Sequence, residues 1–205
     1  MSKVIALLDS GVNEGHPHIR DHGNVIHGPF LDDSGQWVDD PEPGDLLGHG
    51  TCAAAAILDL APGHTILSLR IFRDQPRCPF DRLLSTLAYC IERQVDWINL
   101  SLGTTRPSRV PELEKILEKA AERNVRVVAP AAIGDLPCYP GALDGCEGVL
   151  VDSERSRDQP TRDATANVWF ASPQPRDLPG LPSSSNLSGV SLSAANLTGY
   201  LASRS

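Results

Sequence analysis

Three residues in this chain could together do nucleophilic chemistry: Asp9, His49 and Ser191. A serine hydroxyl is a weak nucleophile until an imidazole takes its proton. The imidazole works best when a carboxylate fixes its tautomer and balances its charge. Asp9 is followed by Ser10-Gly11, His49 lies in Gly48-His49-Gly50-Thr51, and Ser191 follows Gly189-Val190. Glycines at such places let a backbone turn tightly or approach another chain closely. Each residue also has a plain structural use. Asp9 can form a turn after a strand, His49 can be a buried imidazole, and Ser191 can cap a helix. The two accounts differ in whether the fold brings the three together.

The elements that would position them are legible in the apolar pattern. Residues 3–8 form a short apolar run, as expected for a strand buried on both faces. Residues 12–47, rich in Gly, Pro, Asp and His, read as a long loop with a short strand at 24–27. A small-residue helix covers 50–60, and the next strand 65–72. Asp81 is read as the cap of a helix running to about Arg93, with Leu83, Leu84, Leu87, Ala88 and Ile91 on one face. Residues 96–102 form a third strand. An amphipathic helix over 111–124 has Pro111 and two glutamates in its first turn and Leu113, Ile116, Leu117 and Ala120 as its buried stripe. Strands follow at 125–131 and 148–151. Residues 153–188 are irregular apart from an apolar piece at 168–171, and a last helix starts near Ser191. Alternating strands and helices imply an α/β fold, a mostly parallel sheet covered on both faces.

In such sheets sites form at the carboxyl ends of strands. Asp9-Ser10-Gly11 follows the first strand, Ser101-Leu102-Gly103 ends the third, and Ala132-Ile133-Gly134-Asp135 follows the fourth. The chain order Asp, His, Ser is one of three known for the serine-protease triad. On these residues the chain resembles the subtilisin-like serine proteases. VIALLDSGVNEGHP is similar to that family's aspartate segment, GHGTCAAAAI to its histidine helix, INLSLG to its substrate-binding strand, and YPG at Tyr139, Pro140 and Gly141 to a further family stretch. SGVSLSAANLTG aligns with the serine segment in degenerate form.

The resemblance implies a subtilisin-like three-layer fold of minimal size, forming one peptidase domain over residues 1–205. It implies that Ser191 attacks a peptide carbonyl, His49 moves the proton and Asp9 orients His49. Substrate would lie extended along Ser101, Leu102 and Gly103. The pocket for the side chain before the scissile bond (P1) would be walled by that strand and by 131–134, including Ala132 and Gly134. Cys138 near its base would favour a small or medium apolar side chain. The oxyanion would be held by the Ser191 backbone N–H and by position 135, where the family usually has Asn and this chain has Asp135. A carboxylate there repels the developing charge, so a slow enzyme is expected. Val190, Ala195, Asn196 and Cys52 replace the family's Thr, Pro, His and His, changes of packing rather than of proton transfer.

Composition narrows the setting. The 205 residues carry a net charge of −8, which argues against a nucleic-acid partner. No apolar run approaches the roughly 20 residues that span a bilayer, so no membrane role is expected. No secretion signal or pro-domain is read at the N-terminus. Five cysteines without a C-x-x-C pair are read as free thiols in the cytoplasm, and two glycosylation sequons as chance. No cofactor is expected. The calcium loop of many relatives reads as deleted, so no calcium requirement is expected. Only 14 residues follow Ser191, so apolar surface on the C-terminal side, covered by a partner or a second copy, is an expectation.

Two clusters remain. His16, His18, His22 and His27 could bind zinc or serve as ordinary loop residues; no metal is predicted. Asp32, Asp33, Asp39, Asp40, Glu42 and Asp45 could attract basic substrate residues or form a solvated loop. In function, the sequence points to a selective endopeptidase acting on a peptide or precursor protein, by leader-peptide removal during maturation. Two alternatives stay open: a weak or inactive pseudoprotease that binds peptide, and an esterase or amidase using the same three residues.

Overall fold

The computed structural model describes residues 2–41, 43–180, 182 and 186–205, so Glu42 lies outside the described residues. The chain runs β1 (Val4–Asp9), α1 (Pro17–Arg20), β2 (Asn24–His27), β3 (Phe30–Leu31), β4 (Trp37–Val38), α2 (His49–Leu60), β5 (Thr65–Arg70), α3 (Phe80–Glu92) and β6 (Trp97–Leu100). It continues through α4 (Val110–Glu122), β7 (Arg126–Pro130), β8 (Ala132–Ile133), β9 (Leu136–Pro137), β10 (Cys146–Val151), β11 (Thr161–Asp163), β12 (Val168–Ala171) and α5 (Val190–Ala202).

Strand β1 shows why the run of apolar residues was needed. Ile5 and Leu7 pack into one core layer, and Ala6 and Leu8 into the other, each at most 1% exposed. A strand with helices on both faces has no side to give to water. The eight-stranded sheet has the order β11-β12-β10-β7-β6-β1-β5-β2, and every pairing is parallel except β11 with β12. Helices α2 and α5 pack together with Ile5, Leu7, Trp97, Val128 and Val149 on one face. Helices α3 and α4 bury Leu83, Leu87, Leu113 and Leu117 on the other. The molecule is therefore the expected three-layer α/β arrangement. Chain connections leave β1 toward β5 on one side and return to β6 on the other, which makes the carboxyl end of β1 a switch point.

Helix α5 is buried almost all round, from Leu192 through Gly199 and again at Leu201 and Ala202. Such a helix must satisfy its own polar side chains internally. Ser193 Oγ donates to the Ala171 carbonyl at 3.0 Å, and Asn196 Nδ2 to the Ser172 and Gln174 carbonyls at 2.9 and 2.8 Å. Arg157 closes the set, reaching Asn196 Oδ1 at 3.0 Å and Asp59 at 2.7 Å. These bonds lock the start of α5 beneath the end of β12.

Some details differ from the sequence reading. Helix α3 begins at Phe80, with Pro79 in the cap position. Asp81 is a first-turn residue with no capping bond, and it pairs instead with Arg109 at 3.0 Å. The long first loop holds the hairpin β3–β4, pinned by Phe30, which lies beneath the guanidinium groups of Arg70, Arg73 and Arg82. Asp33 pairs with Arg73 and Arg82, and Asp40 with Arg70, so these acidic residues clamp the loop to the body. A second hairpin, β8–β9, follows β7. On the C-terminal side α5 exposes no large apolar side chain, while Leu187 and Val151 are exposed. No helix among the described residues is long and apolar enough to cross a membrane.

Candidate active site

Asp9 ends β1, and the ladder pair Leu8 with Leu100 brings Ser101 level with it. Helix α2 starts at His49 after Gly48, whose φ of 76° turns the chain into the helix. Gly50 permits the approach: a Cβ there would lie 2.1 Å from the Gly11 carbonyl oxygen and 3.2 Å from Asp9 Cβ. His49 Nδ1 lies 2.8 and 2.9 Å from the two Asp9 carboxylate oxygens. A carboxylate can only accept, so Nδ1 carries the proton and Nε2 is left as an acceptor. His49 Nε2 lies 2.8 Å from Ser191 Oγ.

The fold thus brings all three residues into one hydrogen-bonded line. Ser191 is the second residue of α5 and Gly189 holds the cap position, so the serine hydroxyl serves His49 and not the helix end. The Gly189 carbonyl takes the N–H groups of Leu192 and Ser193. The Ser191 N–H is the second of the helix, at the positive end of the helix dipole. That N–H can receive an oxyanion.

Asp9 is only 1% exposed. Burial pushes the His49 pKa down, but the hydrogen bond to Asp9 and the charges of Asp9 and Asp45 outweigh it, so the net shift is upward from 6.5. A protonated imidazole at this position is therefore stabilised.

Beside this line, Gly103 and Cys138 join two walls. Cys138 is fully buried and its N–H donates to the Ala131 carbonyl at 2.9 Å, while Thr104 and Tyr139 exchange two backbone bonds of 2.8 Å. Leu102 and Gly103 line a groove of about 690 Å³ that continues past Phe80, Arg106 and Arg109. Ala132 and Asp135 line a separate cavity of about 360 Å³. Ser101 Oγ accepts from Asn99 Nδ2 at 3.3 Å, and Asn99 Oδ1 accepts from Thr198 on α5 at 2.9 Å, tying the strand end to the serine helix. Asp135 lies in the exposed turn of β8–β9 after Gly134, whose φ is 59°. Its carboxylate makes no hydrogen bond with a described residue.

The sequence reading passed over Asp45 and Ser10. Asp45 was one of six acids in a loop, yet it accepts from Ser10, Thr51, Gly48 and Leu47 and so seats the start of α2. Its signal was position, four residues before His49 in an otherwise apolar and glycine-rich stretch. Of the four clustered histidines, His16 and His18 meet edge to face with ring centroids 5.2 Å apart, and the others turn to other partners. His16 Nδ1 accepts from the His18 N–H, His22 pairs with Arg176, and His27 faces Glu14 at 3.6 Å. Among the described residues no group of three or more His, Cys, Asp or Glu is placed to hold a metal ion. All five cysteines are free.

Comparison with known proteins follows the same lines. The chain matches the sequence profile of the subtilase family over residues 2–145, a stretch that includes Asp9 and His49 and ends before Ser191. It is 31% identical over 137 residues to the intracellular serine protease of Paenibacillus polymyxa, covering 62% of this chain and 40% of that one. It is 24% identical over 131 residues to the subtilisin of Bacillus pumilus, covering 62% of this chain and 46% of that one. The chain thus spans less than half the length of either relative. Among solved structures, a lanthipeptide protease superposes with a TM-score of 0.71 at 19% identity, over 96% of this chain and 71% of that one. The prenylagaramide maturation protease PagA superposes with a TM-score of 0.68 at 20% identity, over 96% and 72%. A cold-adapted subtilisin-like serine proteinase superposes with a TM-score of 0.71 at 18% identity, over 97% of this chain and 73% of that one, and the fold is the subtilisin-like one.

Proposed function

This chain belongs to the subtilase family, and from that premise we propose that it is a serine endopeptidase with Asp9, His49 and Ser191 as its catalytic residues. The observation that carries the proposal is the line of hydrogen bonds from Asp9 through His49 to Ser191 Oγ, each link 2.8 Å. Ser191 Oγ attacks the peptide carbonyl as its proton passes to His49 Nε2. The Ser191 N–H receives the oxyanion, and Asp9 holds the charged imidazole. His49 then gives the proton to the leaving amine. The acyl-enzyme is hydrolysed by a water that His49 deprotonates in the same way, returning the proton to Ser191.

The substrate in this reading is a peptide or precursor protein lying along Ser101, Leu102 and Gly103, cut once during its maturation. Likeness of fold to a lanthipeptide protease and a prenylagaramide maturation protease supports the choice. A narrower form of the same reading is the maturation protease of quinohemoprotein amine dehydrogenase biogenesis. Five free thiols support a reducing compartment such as the cytoplasm.

The test is covalent labelling by a fluorophosphonate. Wild-type protein labels and Ser191→Ala does not. Wild-type protein that never labels, at any pH from 6 to 9, would sink the enzyme reading. The second reading, a peptide-binding pseudoprotease, draws on Asp135, a carboxylate where an oxyanion donor is expected. Labelling of Asp135→Asn but not of wild type would favour it.

A further inference from the structure

We infer that Asp45 is a positioning residue that, through Ser10, fixes the backbone on both sides of His49 and keeps Asp9 free to hold the imidazole. The inference deepens the reading of Asp9, His49 and Ser191 as a relay and rests on it.

The geometry is specific. Asp45 Oδ1 accepts the Ser10 hydroxyl at 2.7 Å, the Leu47 N–H at 3.0 Å and the Gly48 N–H at 2.8 Å. Asp45 Oδ2 accepts the Thr51 N–H and the Thr51 hydroxyl, both at 2.7 Å. Ser10 Oγ in turn accepts the Gly50 N–H at 2.9 Å. The residue before His49 is thus held by Asp45 and the residue after it by Ser10. A carboxylate accepting this many donors is held rigidly, and charge-assisted bonds are the strong ones.

The Ser10 hydroxyl has one proton and two carboxylates within reach. Asp45 Oδ1 lies at 2.7 Å and Asp9 Oδ1 at 3.2 Å, so the proton goes to Asp45. Asp9 Oδ1 already takes the Ser10 N–H at 2.7 Å and faces His49 Nδ1 at 2.8 Å. Without the Asp45 charge the hydroxyl would turn to Asp9 Oδ1 and compete with the imidazole for it. The Asp45 charge also favours the protonated ring directly, as one of the two charges that raise the His49 pKa. The charges that act on His49 are those of Asp9 on β1 and Asp45 in the preceding loop; Ser191 on α5 is uncharged, and Cys52 lies one turn along α2. The Cys52 thiol is pushed up to about 11, chiefly by burial, and is neutral at working pH. Both effects of Asp45 act in the same direction.

The experiment follows the His49 ring by NMR titration in the full chain. In Asp45→Asn the His49 pKa falls, because one of the two charges that raise it is gone. Thr51→Val deletes a hydrogen bond to the same carboxylate without changing charge, and leaves the His49 pKa within about 0.2 unit of wild type. If Asp45→Asn does not fold, Asp45→Ser, which removes the charge and keeps a short hydrogen-bonding side chain, gives the same fall. An unmoved His49 in the Asp45 variant, or an equal shift in Thr51→Val, overturns the inference and leaves Asp45 as a helix cap only. Fluorophosphonate labelling of the wild type is read separately. Its failure would remove the relay, while the titration still decides the role of Asp45.

Discussion

Cys138 Sγ occupies the space that a side chain at Gly103 would need: a Cβ built on Gly103 would lie 2.4 Å from that sulfur and 2.5 Å from the Tyr139 carbonyl oxygen. The thiol therefore closes the gap between the 101–103 wall and the 131–134 wall. Its pKa is pushed up to about 11 by burial, so it acts as packing and not as a nucleophile. Cys138→Gly opens the gap. Peptides with Leu or Phe before the scissile bond should gain roughly tenfold in kcat/KM over Ala peptides, within the range expected for a methylene or two in an apolar pocket. A series of fluorogenic peptides reads the ratio, and an unchanged preference would place the pocket elsewhere.

Asp135 bears on turnover. It follows Gly134 in an exposed turn, free of any bond to another described residue. In the proposed mechanism the Ser191 N–H then holds the oxyanion without a side-chain donor. Adding such a donor is worth up to about 10²–10³ in rate. Asp135→Asn, which also removes a repelling charge, should raise kcat by at least roughly tenfold with little change in KM. A fall in kcat would mean that the carboxylate itself serves the reaction.

The clamps on the first loop differ in depth, and stability should follow. The side chains of Arg70 and Asp40 are 8% and 4% exposed, whereas those of Arg73 and its partner Asp33 are 45% and 74% exposed. Losing one partner of a buried ion pair costs more than losing one of an exposed pair, up to about 3–5 kcal/mol. An exposed pair is worth about 0–1 kcal/mol. Urea unfolding should therefore rank Asp40→Ala well below Arg73→Ala, since Asp33→Ala would also take the carboxylate from the buried Arg82. Equal midpoints would show that burial of the Arg70–Asp40 pair contributes nothing.

Much of this was legible in the sequence because it is local. Continuous apolar runs gave the buried strands, helical spacing gave α3 and α4, and Asp9, His49 and Ser191 each stood beside glycines at element ends. The less legible parts depend on distant partners. Asp33, Asp40 and Asp45 look alike as loop acids, and only the approach of Arg73, Arg82, Arg70 and Ser10 separates two loop clamps from the seat of α2. Helix α5 read as an Ala-rich run with a serine at its start. That its polar residues face loop carbonyls, with Gly189 as cap, follows from its burial under α2 and the sheet.

The His49 shift sets the pH behaviour. Its pKa in the folded chain lies above the ordinary 6.5, through its Asp9 partner and the Asp45 charge and against the effect of burial. Proton acceptance needs the neutral ring, so the acid limb of kcat/KM against pH should have its midpoint above 6.5. For stability the sign is fixed by linkage. A group that binds its proton more tightly when folded contributes its full stabilisation below the unfolded value of 6.5, and loses it as pH rises through the folded pKa. Wild-type protein should therefore lose a component of stability on going from pH 6 to pH 8 that His49→Gln does not lose. Chemical denaturation of the two proteins at both pH values measures that difference. A difference of the opposite sign would show that burial, not Asp9 and Asp45, controls the ring.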